Sequence, residues 1–80
     1  MAKQWFEIYE SIKKVDEYQA EMHQFNCTVM IENDMGYWCL KIVYGDDNRT
    51  FKHDFLHLDD LEEFLYAAMI GMKIANGIEV

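Results

Sequence analysis

The first residues in this chain whose types and spacing could do chemistry are His53 and His57, four apart, with Asp54 and Asp59 close by. Four is the metal-chelating interval on a helix. The surrounding residues read as a strand, where four positions span about 13 Å and two imidazoles cannot converge on one zinc. His23 lies far off in sequence, with no evident reason to join them. The run Asp46-Asp47-Asn48-Arg49-Thr50 begins like a calcium loop, with oxygen ligands at alternate positions. It lacks the glycine needed at the sixth position and carries His57 where the twelfth needs a bidentate glutamate, so it reads as a solvated turn.

Cys27 and Cys39 fall inside expected strands, away from any helix N-terminus that could lower a thiol pKa. Opposite Ile42 or Val43, and opposite Met30 or Ile31, they stand about four ladder positions apart, beyond the roughly 7 Å Cα limit of a disulfide. Both are expected to be reduced, with Cys27 a small core residue. No GxSxG, HExxH, Walker loop or CxxC occurs. The expectation is therefore a protein without a catalytic residue, metal or cofactor.

Carboxylates are the most informative feature. Fifteen Asp and Glu against seven Lys and Arg give a net charge of −8 in 80 residues, while 51% hydrophobic and 15% aromatic residues with no proline argue for a folded chain. A chain of this length buries only about two-thirds of its unfolded surface, so residues 1–80 are expected to form one compact acidic domain with one core. No apolar run approaches the roughly 20 residues of a membrane span and no signal peptide is evident. A cytoplasmic location is expected.

The elements that must position these groups follow from periodicity. Trp5, Ile8, Ile12, Val15, Tyr18, Met22 and Phe25 recur at spacings of three and four, which predicts an amphipathic helix over about 3–24. A strand over 5–12, suggested by Trp5, Phe6, Ile8, Tyr9 and Ile12, ranks second because it breaks the period that continues through Met22. From Cys27 the period becomes two. Cys27, Val29 and Ile31, then Trp38, Leu40, Ile42 and Tyr44, make one face of a hairpin around Asn33-Asp34-Met35-Gly36. A two- or four-residue loop keeps those sets together, whereas a three-residue loop with a Gly36 bulge brings Lys41 among them, so the first is favoured.

Gly45-Asp46-Asp47-Asn48 supplies a second turn, and Thr50 to about Leu56 a third strand with Phe51 and Phe55 on one side. A last helix is expected over about 60–76. Asp59 or Asp60 is its expected cap, Glu62 or Glu63 its capping-box partner, and Asn76-Gly77 its stop. Its inward stripe is Leu61, Phe64, Leu65, Ala68, Met69, Met72 and Ala75, while Tyr66, Ala67, Ile70 and Ile74 lie mostly outside it. The first helix is expected to pack beside it and cover that second face; the alternative is a homodimer through helix 60–76, with Gly71 permitting close approach of a second copy.

The result is an α+β fold, αβββα, with both helices on one face of a three-stranded antiparallel sheet. Double-stranded-RNA-binding domains share this order. They need a basic N-terminus on the second helix, whereas Asp59-Asp60-Leu61-Glu62-Glu63 stands there, so direct nucleic-acid binding is not expected. The topology gathers Glu32, Asp34, Asp59, Asp60, Glu62 and Glu63 at one end of the sheet. Asp59 or Asp60, with Glu62 or Glu63, can serve the helix terminus; the others repel without evident internal gain.

Such an end suits a basic partner, with Tyr37, Tyr44 or Tyr66 as aromatic anchor. In size, charge and element order the chain resembles the small acidic inhibitors among phage anti-CRISPR and anti-restriction proteins, and bacterial immunity proteins. That resemblance implies a non-catalytic protein that blocks a normally nucleic-acid-binding surface of a larger protein, and it transfers no site. The partner-binding residues expected are Glu32, Asp34, Tyr37, Asp59, Asp60, Glu62 and Glu63. A self-associating structural or regulatory subunit is the alternative.

Overall fold

In the structure, a computed structural model that describes the backbone from Trp5 and the side chains from Ile8, five elements follow one another. They are α1 (Trp5–His23), β1 (Cys27–Asp34), β2 (Tyr37–Tyr44), β3 (Arg49–Phe55) and α2 (Leu58–Ala75). The sheet is antiparallel in the order β1-β2-β3, and both helices pack on one of its faces. This is the αβββα arrangement expected from periodicity. Residues 5–12 are helical, not a strand. The expected start of α1 at residue 3, and the part of its stripe carried by Trp5 and Phe6, lie outside the described residues and side chains.

The hairpin closes through two residues, Met35 and Gly36, with Asp34 opposite Tyr37. Both loop residues have positive φ, 51° and 85°, as a type I′ turn requires to match the strand twist. That register sets Cys27 opposite Tyr44 and Cys39 opposite Glu32, one or two positions from the partners expected. The cysteines are free and lie on opposite faces, Cys27 buried in the core and Cys39 on the uncovered side.

Valine, isoleucine and leucine at alternate strand positions meet the two helical stripes. Val15 and Met22 of α1, Cys27, Leu40 and Ile42 of the sheet, and Leu58, Leu61, Leu65 and Met69 of α2 form the buried core. The helices run parallel. Lys14 reaches Glu62 at 3.6 Å, Tyr18 packs on Tyr66 with ring centres 5.6 Å apart, and Lys73 reaches Glu21 at 2.9 Å. These contacts cover part of the second apolar face of α2, yet Ile74 stays 63% exposed.

Expectation and structure part at the start of α2. The helix begins at Leu58 with His57 in the cap position, extended, its side chain making no capping hydrogen bond. Neither Asp59 nor Asp60 is the cap, because Leu58 is buried in the core and draws the first turn two to three residues earlier. Both aspartates lie in that first turn, where the positive end of the helix dipole favours them. The other end is as expected. Gly77 at φ 70° lets its own N–H donate to Ile74 and that of Ile78 to Lys73, a Schellman stop.

Candidate functional site

Strand alternation decides which groups reach the uncovered face of the sheet. Leu40, Ile42 and their neighbours turn to the helices, so the other parity faces outward: Met30, Glu32 and Asp34 on β1, Tyr37, Cys39 and Lys41 on β2, Lys52 and Asp54 on β3. Two ladder rows follow. One is Glu32, Cys39 and Asp54; the next is Met30, Lys41 and Lys52. Together they line a shallow depression of about 330 Å³.

The Cys39 thiol reports the field on this face. Its pKa is raised, first because the Asp54 carboxylate accepts a hydrogen bond from the protonated thiol, then by partial burial and by the charges of Asp54, Asp34 and Glu32. Among the described residues, Glu32, Asp34 and Asp54 enter no ion pair, although Lys41 and Lys52 occupy the neighbouring row. Tyr37, half exposed, stands opposite Asp34 at the end of the patch.

The acids of α2 face elsewhere. A helical residue turns about 100° from the one before it, so Glu62 points from the buried Leu61 toward α1 rather than toward the sheet. There it pairs with Lys14, its side chain only 16% exposed. Glu62 and Glu63 border a second hollow with Tyr18 and Tyr66, and burial followed by the Glu62 charge raises the Tyr18 pKa. The seven residues singled out from the sequence thus form two groups at one end of the molecule. Glu32, Asp34 and Tyr37 share the open sheet face; Asp59, Asp60, Glu62 and Glu63 belong to the helix layer.

Two members of the sheet group escaped sequence reading, Asp54 and Cys39. The available signal was the period of two carried across all three strands, which sets Asp54 beside Cys39 and Cys39 beside Glu32. His53 has the opposite parity and lies between Phe51 and Phe55, stacked on the first with ring centres 6.4 Å apart and edge-on to the second at 4.7 Å. His57 is spent on the start of α2. Among the described residues no three of His, Cys, Asp or Glu come together as a metal-holding group, and no helix is long and apolar enough to cross a membrane. Compared with family models, curated proteins and solved structures, the chain matches none.

Proposed function

We propose that this chain is a non-catalytic binding protein that docks Glu32, Asp34 and Tyr37 on a basic, nucleic-acid-binding surface of a larger protein and so inhibits it. The observation that carries this reading is a cluster of carboxylates on the uncovered face of the sheet, in no ion pair among the described residues, beside an exposed tyrosine. Glu32 and Asp34 carry like charges two positions apart on the same face of β1 and enter no ion pair among the described residues, so these two charges bring no evident gain to folding. Against a basic partner the same charges steer encounter and fix orientation, and a tyrosine supplies rigid apolar area that resists dissociation. Asp59, Asp60 and Glu63 add to the negative field at that end, while Glu62 is engaged with Lys14.

The test is capture of partners by the immobilised chain, with and without the triple substitution Glu32→Lys, Asp34→Lys and Tyr37→Ala. Loss of a nucleic-acid-binding partner in the variant, with the fold intact by circular dichroism, supports the reading; equal capture by both proteins discards it. Exposed Tyr66 and Ile74 on α2 favour a second reading, a self-associating structural or regulatory subunit without such a target. Capture of no other protein favours that one.

A further inference from the structure

The outer edge of β3 is the least covered part of the sheet. Every β3 residue except Phe55 is exposed, and α2 covers its inner face chiefly through Phe64. Phe64 stacks on Phe51 at 5.4 Å and leans on Phe55 at 5.7 Å, which leaves Phe51 and Phe64 each 36% exposed beside His53. We infer that this edge pairs with the same edge of a second copy of the chain, antiparallel about a twofold axis at His53, joining the two sheets into one of six strands. The inference is independent of the inhibitor reading.

Three observations converge on that occupant and that register. First, the backbone groups are available. A two-residue hairpin makes Asp34 and Tyr37 a hydrogen-bonded pair, and alternation then turns the backbone of Trp38, Leu40, Ile42 and Tyr44 toward β3. The N–H and C=O groups of Thr50, Lys52 and Asp54 therefore point to the free edge.

Second, charge selects the register. Directly opposite residues face the same side, so a twofold that keeps both helix layers on one side centres on a residue. Centring on Lys52 or Asp54 sets like charges against each other. Centring on His53 crosses Lys52 with the partner's Asp54, and Asp54 with the partner's Lys52, in hydrogen-bonded positions. On the other face it brings Phe51 against the partner's Phe55.

Third, α2 is shaped for a neighbour. It touches both β2 and β3, so it lies above the gap between them, and with strands about 4.8 Å apart the two copies of α2 stand about 10 Å apart, the packing distance of helices. The side of α2 that follows Phe64 toward that axis carries Ala67, Gly71 and Ala75, all exposed, with open space at Gly71. Small residues there leave room for the partner's helix, and Phe64, lying between Phe51 and Phe55, meets its own copy near the axis.

Sedimentation equilibrium of the full chain tests this. The wild-type chain is expected to be a dimer. Lys52→Asp and Asp54→Lys singly turn both cross-strand pairs repulsive and weaken it about tenfold or more, and the double substitution Lys52→Asp with Asp54→Lys restores it. Both side chains are exposed, and circular dichroism checks that each variant folds. In a Cys39→Ser background, His53→Cys is expected to cross-link to itself on mild oxidation, because non-hydrogen-bonded pairs bring Cα atoms to about 4.5 Å, within disulfide range. A monomeric wild type at high micromolar concentration overturns the proposal. So does a dimer that both single reversals leave unchanged, or a double substitution that fails to recover it.

Discussion

Met35 holds a position that its side chain does not suit. It has φ 51° in the two-residue turn and is 90% exposed, so it makes little packing that a substitution could forfeit. Left-handed backbone costs an ordinary L-residue about 1–2 kcal/mol, and asparagine, like glycine, adopts it more readily. Met35→Asn should therefore stabilise the fold by about 1 kcal/mol, which for a domain of this size raises Tm by about 4–8 °C. Met35→Val, β-branched at the same φ, should shift it the other way. Thermal and urea denaturation followed by circular dichroism measure both. A Met35→Asn protein no more stable than wild type would refute the claim that the turn carries this strain, and with it the two-residue register.

Other expected outcomes follow from the same structure. Leu65→Ala removes a fully buried side chain at the centre of α2 and should cost about 2–5 kcal/mol in a urea titration. Gly77→Ala places a Cβ at φ 70° in the Schellman stop and should cost about 1 kcal/mol by the same assay. Because Asp54 is the first cause of the raised Cys39 pKa, Asp54→Asn should speed Cys39 alkylation by iodoacetamide at neutral pH; an unchanged rate contradicts that cause. The pKa values of Cys27, Cys39 and Tyr18 are all raised above their ordinary values of 9.0, 9.0 and 10.0. Below those values both states hold the protons. As pH rises past about 9 the unfolded chain releases them first, so stability should fall toward alkali, as denaturation at stepped pH will read.

The legible parts of the fold were those where one period ran unbroken. The three-and-four spacing from Ile8 to Met22 and the alternation of Val29, Ile31, Leu40 and Ile42 set elements and faces, because burial of one side leaves no other arrangement for either. Ends were harder. A cap rule based on Asp59 and Asp60 misjudged the start of α2, since burial of Leu58 outweighed what a capping aspartate offers. The hairpin loop offered no Asn-Gly or Asp-Gly pair, so its length rested on strand pairing rather than on turn chemistry. Gathering the acids at one end was within reach of topology alone. Dividing them between two layers required combining strand parity with helical rotation, which turns Glu62 onto Lys14 and leaves Glu32 with Cys39 and Asp54.

Recognition of a basic partner by the acids of the open sheet face, as proposed, should depend on salt and on those side chains. Its most direct test is capture from cell lysate by the immobilised chain at low and at high salt, with the Glu32→Lys, Asp34→Lys, Tyr37→Ala protein alongside and mass spectrometry of what each retains. The expected result is a basic nucleic-acid-binding protein that is released as salt rises, is displaced by its own nucleic acid, and is missing from the variant. Retention that ignores salt and the three substitutions, or recovery of nothing beyond the chain itself, would contradict it.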